Sequence, residues 1–336
     1  MKRHNIRIGI TIGDPAGIGP EVVLNALSST YDADITPIVI GRYDVLCQFF
    51  PDLIYDYEVI ECNDAASYIF SDKKYICNIP LDMPLPSPGS GNINSGIESK
   101  KYIDEAIKLW ELGILDAIVT GPVNKGFISK SGIKFTGHTE YIAESIQQEE
   151  PYMMMFSNDY RVILITTHIP ISKIREKIDV DKIYKTITIG YQAISSIDEG
   201  NIKLAITGLD PHCGDNGAIS DFDINITKKA VEMALADNIN IEGPFAADTL
   251  FLPAKWKSYN LVIAQYHDQG LIPFKTLTFD SGVNVTLGLS LIRTSVDHGT
   301  AYDIAGKGIA EYSSMREAIK LAYKLVLKRS KDDSLK

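Results

Sequence analysis

The sequence predicts an α/β protein with a mostly parallel sheet, either two domains or one large α/β unit, with a two-domain α/β/α arrangement favoured. Three observations predict it. Short apolar runs such as Ile35–Ile40, Ala117–Thr120, Val162–Ile165, Leu204–Ile206 and Leu261–Ala264 alternate with helical segments, the pattern of βαβ units. The runs are apolar on successive residues, as in strands covered on both faces. The length, 336 residues, exceeds that at which a single core usually keeps growing.

The elements follow in order. The first strand reads Ile6 to Ile10. A glycine-rich turn leads to a helix opening at Pro20-Glu21, where proline suits the first helical position and glutamate the positive end of the dipole. The next strand, Ile35–Ile40, stops at Gly41. Residues 78–94 carry Pro80, Pro84, Pro86, Pro88, Gly89 and Gly91 and are expected to be irregular. A capping box from Ser95 to Glu98 is expected to start a long helix with Ile103, Ala106, Ile107 and Trp110 on one face, ended by Gly113. The strand Ala117–Thr120 breaks at Gly121-Pro122. Later helices bury Ile183, Ile187, Tyr191 and Ile194, then Ile226, Ala230, Met233 and Ala234. A second capping box, Ser314 to Glu317, is expected to start the last helix, which runs to about Leu327 before a frayed tail after Arg329. The expected domains are 1–125 with 300–336, discontinuous, and 126–299.

Composition excludes some functions. The net charge is −10, with 45% hydrophobic and 23% charged residues. An acidic chain lacks the broad positive field that nucleic acid or an anionic membrane requires, although a few side chains can still form a phosphate pocket. The basic start, Met1 to Asn5 with an exposed His4, leads into an apolar run interrupted by Gly13-Asp14-Pro15, unlike a signal peptide. No apolar run has the length of a membrane helix. Cys47, Cys62, Cys77 and Cys213 form no C-x-x-C pair and are expected to be reduced thiols of a cytoplasmic protein.

Apart from His4, the histidines lie in loops rich in Gly, Asp, Pro and Thr. Three directly follow buried strands: Thr166-Thr167-His168, Leu209-Asp210-Pro211-His212 and Gln265-Tyr266-His267-Asp268. Parallel strands bring their carboxyl ends to one edge, where ligands bind. Three imidazoles there suit a divalent metal with an open position for substrate; the alternative is three loop histidines with local hydrogen bonds. Asp248 and Asp268 either orient the ligands or cap turns. Cys213 is either a soft ligand or a bystander.

Thr11–Glu21 joins a strand to a helix but is neither a dinucleotide fingerprint nor a P-loop, and reads as a tight turn. Thr136–Glu140 places His138 and Thr139 beside Gly137, as a substrate-anchoring turn or as a helix start capped by Thr139. Lys275, Asn284 and Arg293 stand among apolar neighbours. If buried they need partners, either an anionic ligand such as phosphate or internal salt bridges. The segment Asp297–Gly308, with His298, Gly299, Thr300 and Asp303, could wrap a nucleotide; by composition it is a loop.

Taken together, Thr11–Glu21, Thr120–Lys125, Thr136–Glu140, Ala247–Phe251, Tyr266–Gly270 and Val283–Gly306 closely resemble the 4-hydroxythreonine-4-phosphate dehydrogenase family. The match runs in order from Ile10 to about Gly308. The Gly-Ile-Gly-Pro-Glu start and the segment from His298 to Gly306 also look like the wider isocitrate and isopropylmalate dehydrogenase fold, which raises Asp297, His298, Gly299, Thr300 and Asp303 to expected cofactor contacts.

The resemblance implies that His168, His212 and His267 bind the metal. It implies that His138, Thr139, Lys275, Asn284 and Arg293 bind substrate; Asp248, Lys275 and a metal-bound water are all candidates for the general base. It further implies NAD or NADP, a divalent ion (zinc, magnesium or cobalt), and a homodimer whose active site lies between domains at the interface, the histidines coming from both chains. The implied reaction oxidises 4-phosphohydroxy-L-threonine to 2-amino-3-oxo-4-phosphooxybutanoate, a β-keto acid that loses CO2 to give 3-amino-2-oxopropyl phosphate. Two other readings stay open. One is a catabolic dehydrogenase of a phosphorylated sugar acid, 4-phospho-erythronate or 4-phospho-threonate. The other is a metal-dependent hydrolase or aldolase. The chain departs from the family at Cys213-Gly214-Asp215-Asn216-Gly217, where Ala-Gly-Glu-Gly-Gly is expected, and at Ser290, where proline is usual.

Overall fold

The computed structural model describes residues 5–28, 34–148, 150–278 and 280–334; His4 lies outside them. The chain forms two compact units, Met1–Pro151 with Leu289–Lys336, and Tyr152–Gly288. The outer unit is built from both ends of the chain. Residues 126–151 and 289–299 pack with it, because Tyr141 donates to Asp104 Oδ1 (2.6 Å) on the long helix and because residues 292–295 pair with residues 117–120.

The outer unit has strands β1 (Ile6–Thr11), β2 (Ile35–Gly41), β3 (Tyr57–Glu61), β4 (Lys74–Asn78) and β5 (Ala117–Thr120). The inner unit has β6 (Tyr152–Phe156), β7 (Arg161–Leu164), β8 (Leu204–Thr207), β9 (Ile241–Phe245), β10 (Leu261–Ala264) and β11 (Val283–Leu287). The chain then returns to the outer unit as β12 (Ile292–Val296).

In the outer unit the strand order is β3-β4-β2-β1-β5-β12, every neighbouring pair parallel. β2 and β5 are buried at every residue, which accounts for their apolar stretches Ile38–Ile40 and Ala117–Val119. The carboxyl ends of β1, β5 and β12 therefore emerge side by side. There Asp14 N–H donates to Pro122 O (2.8 Å) and Ile18 N–H to Thr300 O (2.9 Å). Gly13 takes φ +70°, and a Cβ on it would lie 2.3 Å from Pro122 O, so only glycine fits this crossing.

The long helix spans Ile93–Glu111. Its cap differs from expectation: Asn92 is the N-cap and forms the capping box with Ser95. Glu98 instead turns inward to Arg42 (3.0 Å) and accepts the Tyr102 hydroxyl (2.9 Å), all three nearly inaccessible. A glutamate that satisfies a buried arginine is unavailable to a backbone N–H. Arg42 also donates to Met83 O (3.1 Å), fastening the proline-rich segment. The last helix, Ser313–Ser334, likewise starts differently. Ser314 Oγ accepts Asp297 N–H (3.3 Å), while Glu311 receives Ser313 N–H (2.8 Å). The helix extends well beyond Leu327.

In the inner unit the order is β11-β6-β7-β10-β8-β9; only β6 runs against its neighbours. One core cluster packs Met155, Val162, Val262 and Phe274 around Trp256, whose indole N–H donates to Arg161 O (3.2 Å). Cys62 and Cys77 are disulfide-bonded (Cα–Cα 4.9 Å), correcting the expectation of four free thiols. The pairing of β3 with β4 brings them together, since Ile60 is in register with Cys77, a proximity that a separation of 15 residues does not announce. Cys47 and Cys213 are free. Among the described residues no helix is long and apolar enough to cross a membrane.

Candidate active site

The three strand-end histidines leave neighbouring strands. His168 follows β7, His267 follows β10 and His212 follows β8, and these strands lie in the order β7-β10-β8. Adjacent parallel strands thus deliver them to one edge of the inner sheet. The His168 and His267 rings lie 5.7 Å apart and line a hollow of about 220 Å³ with Tyr266 and Asp268. His212 opens into a second hollow, about 310 Å³, lined by Asp210, Asp248, Tyr266 and Gln269. Among the described residues no three His, Cys, Asp or Glu side chains gather as a metal-binding group; His168 and His267 stand as a pair, and Tyr266 lines both their hollow and that of His212.

The donor chemistry fits a divalent ion. His267 Nδ1 is paired with Asp268 Oδ1 at 2.7 Å, the arrangement that fixes an imidazole's tautomer and leaves Nε2 for a metal. An amide lattice fixes the strand ends beneath. Gln265 donates to Thr207 O (2.7 Å), Gln269 donates to Gly208 O (2.9 Å), and the Gln269 carbonyl accepts both Gln265 N–H (2.8 Å) and the Thr207 hydroxyl (2.7 Å). Thr166 closes the set by donating to Gln265 O (2.8 Å). These residues tie β7, β10 and β8 together just below the histidines. Their polar side chains at the ends of apolar strands were the only signal of that role in the sequence.

His212 begins an unusual backbone segment. His212, Cys213, Gly214, Asp215, Asn216 and Gly217 all have positive φ, from +45° to +93°. Left-handed residues with a side chain cost about 1–2 kcal/mol each, so consecutive ones are rare. Gly214 has no alternative, since a Cβ would stand 2.0 Å from Ser220 O. At the other departure, Ser290 donates its N–H to Gln148 Oε1 (2.8 Å), a bond proline cannot make. Burial first, and then the Asp223 carboxylate, push the Cys213 thiol up, and Cys213 lines neither histidine hollow.

Asp248 is exposed at the His212 hollow, on the turn Ala247–Leu250. Lys275 and Asn284 line neither hollow. Of Lys275, Asn284 and Arg293, which need partners if buried, the structure buries only Arg293. Lys275 is exposed two turns along the helix that starts at His267, and Asn284 is half-buried on β11 opposite Met155.

The second group of predicted residues belongs to the outer unit. Arg293 is 2% exposed and donates twice to Thr120 Oγ1 (3.2 and 2.7 Å). Burial pulls its guanidinium down to about 9, opposed by Glu140, so it is a cation at neutral pH. The helix His138–Ser145 starts beside it, with Gly137 at the cap and Thr139 buried in the first turn. At Gly137 a Cβ would come within 2.8 Å of Glu140 Oε2 and 3.1 Å of Lys125 Nζ, so the missing side chain lets these charges converge. Sequence reasoning assigns no role to Thr120, Lys125 or Glu140; hydroxyl and charge at strand and helix ends are the available signal.

His138 keeps a partly exposed edge, but its Nε2 is sealed from water without a hydrogen-bond partner. Burial chiefly, then the charges of Arg293 and Lys125, hold its pKa well below 6.5. The imidazole is therefore neutral at pH 7, with a buried nitrogen available to a ligand. Below about 6.5 the unfolded chain takes up a proton that the folded chain refuses, so stability falls as pH drops. Wild type is expected to melt at a lower temperature at pH 5.5 than at pH 7.5, and His138→Gln to narrow that gap. Equal gaps in the two proteins would refute the neutral histidine.

The predicted nucleotide segment is also in the outer unit. Asp297 and His298 are half-buried, Gly299 and Asp303 exposed, and Thr300 buried. A Cβ on Gly299 would meet nothing within 4 Å, leaving its backbone open to a ligand. Buried Asp14 supports the loop by accepting the Tyr302 hydroxyl (2.7 Å) and Ser95 Oγ (3.1 Å). The turn Thr11–Glu21, read as structural, thus also braces this loop.

Imidazoles at strand exits and a buried cation at a helix start define an α/β enzyme class acting on small anionic ligands. Comparison narrows the class. Residues 33–322 match the family model described as pyridoxal phosphate biosynthetic protein PdxA, and the chain belongs to this family. A protein from Oceanobacillus iheyensis, provisionally named D-threonate 4-phosphate dehydrogenase, is 38% identical over 95% of this chain and 97% of its own. The 4-hydroxythreonine-4-phosphate dehydrogenase of Desulforapulum autotrophicum is 37% identical over 94% of each chain. The crystal structure of the enzyme of that name from Klebsiella pneumoniae superposes with a TM-score of 0.79 at 33% identity, covering 96% of this chain and 99% of its own. The expected wider fold also holds: a β-decarboxylating dehydrogenase from Thermococcus kodakarensis aligns over 97% of this chain and 84% of its own, with a TM-score of 0.50 at 12% identity.

Proposed function

We propose that this protein is an NAD(P)-dependent, divalent-metal-dependent dehydrogenase. It oxidises 4-phosphohydroxy-L-threonine to 2-amino-3-oxo-4-phosphooxybutanoate, which loses CO2 to yield 3-amino-2-oxopropyl phosphate. The observation that carries this reading is the placement of three imidazoles on three adjacent parallel strand ends, in a chain of the PdxA family. His168, His212 and His267 would hold the divalent ion, which would supply Lewis acidity at the substrate hydroxyl, and a bound nicotinamide would supply the hydride acceptor.

The chain's own residues do the rest. Asp268 holds the His267 ring in register. Arg293 and Lys275 bind the substrate's anionic groups, with Asn284 and Thr139 as hydrogen-bonding partners and neutral His138 offering its buried nitrogen. Asp297, His298, Gly299, Thr300 and Asp303 hold the nucleotide. Of the two side-chain candidates for the base, Asp248, exposed beside His212, is the better placed to receive the hydroxyl proton; exposed Lys275 serves binding. We assign the active site to a homodimer interface, through the inner unit, with histidines from both chains. The pairing of His168 with His267 while His212 opens separately supports that assignment.

The relative named for D-threonate 4-phosphate favours a second reading: the same chemistry on an acid with hydroxyl in place of the amino group. A hydrolase or aldolase has no support among these relatives. Purified protein with Mg2+, Zn2+ or Co2+ and NAD or NADP is expected to reduce the cofactor with 4-phosphohydroxy-L-threonine. Higher kcat/KM with 4-phospho-threonate or 4-phospho-erythronate would move the assignment to the second reading. No reduction with any of them would sink both.

A further inference from the structure

A left-handed run of six residues needs an anchor, and one carboxylate stands where that anchor is required. Asp223 is 1% exposed and opens the π-helical turn Asp223–Thr227, an irregularity common near functional sites. Its Oδ1 accepts Leu209 N–H (2.9 Å) and the Thr227 hydroxyl (2.7 Å). Its Oδ2 accepts Leu209 N–H (3.1 Å) and Asp210 N–H (3.1 Å). The buried charge is thus met by hydrogen-bond donors at the exit of β8.

Leu209 and Asp210 are the last residues before Pro211-His212. The carboxylate packs so closely against this exit that a Cβ on Gly208 would lie 3.0 Å from Asp223 Oδ2 and 2.7 Å from Cys213 Sγ. On the far side, Gly214 O accepts Ile219 N–H (3.1 Å) and Ser220 N–H (3.3 Å), closing the run on itself. The handover from strand to left-handed turn is therefore set at one end by Asp223, and His212 is the first residue past it.

We infer that Asp223 is a positioning residue for the metal site: by fixing the two peptides ahead of Pro211 it aims the His212 imidazole. The inference rests on the metal reading proposed above. Asparagine at this position keeps the size but replaces one acceptor oxygen by an amide NH2, a donor that would face backbone N–H groups. Partners that orient metal ligands change affinity on the order of 10–100-fold when removed.

The test uses the full chain stripped of metal and loaded with Co2+, following the d–d absorption of the ion, with circular dichroism and melting in parallel. Asp223→Asn is expected to weaken Co2+ binding at least about tenfold and to change the d–d band. Thr227→Val, which removes one donor to the carboxylate, is expected to weaken it to a smaller extent. Ile187→Val, in the core of the same unit, is expected to lower the melting temperature and leave Co2+ affinity unchanged. Wild-type affinity and spectrum in a folded Asp223→Asn protein would overturn the inference. If Asp223→Asn does not fold, Thr227→Val decides, and unchanged affinity there overturns it. Failure of the wild type to bind Co2+ would instead refute the metal reading, and the inference with it.

Discussion

His168→Ala is expected to abolish tight binding of the divalent ion and to lower kcat/KM about a thousandfold, a loss of ~4 kcal/mol in transition-state stabilisation. His168 and His267 form the paired imidazoles of the first hollow, so truncating one halves the set that a single chain assembles. Chelation of wild type followed by metal addition should restore activity; the same addition should not rescue the variant. His212→Ala tests the third position. Elemental analysis provides the check, and full metal occupancy in either variant would undo the ligand assignment.

The second large effect is expected at Arg293. An internal salt bridge and an anion-binding group are both possible uses of a buried arginine, and Arg293→Met separates them. The guanidinium sits in a nearly inaccessible site, where burial opposes its charge and Glu140 favours it. Replacing a buried ion by an apolar side chain of similar length is often neutral or stabilising. If the charge exists to hold the substrate, KM should rise about a hundredfold, ~3 kcal/mol of charged hydrogen bonding, while the melting temperature holds or rises. A steep fall in melting temperature with unchanged KM would assign Arg293 to the fold alone.

Much of this architecture is legible in the sequence because parallel strands advertise themselves. β2, β5 and β10 are apolar at consecutive positions, and the residues that follow such strands are placed at the ligand edge by topology. That reasoning found the three histidines. It missed what depends on long-range pairing. Ser95–Glu98 has the spacing of a capping box, but Glu98 is taken by Arg42, 56 residues earlier. Cys62 and Cys77 meet only because β3 and β4 are neighbours. Lys275 sits in an apolar stretch that turns out to be helical, where alternate sides face solvent. The left-handed run at His212–Gly217 has a partial signal in its glycines and Asn216, residues that tolerate positive φ, but Cys213 carries none.

The chain order of the two units has a consequence for synthesis. The inner unit occupies residues 152–288 without interruption, whereas the outer sheet takes its last strand, β12, from beyond it. A ribosome therefore delivers every strand of the inner unit before it delivers the strand that pairs with β5. The part of the protein begun first is the part finished last. During translation the exposed β5 edge must wait for some 170 residues to pass, at roughly 5–20 residues per second, an interval of about ten to thirty seconds in which that edge lacks its native partner.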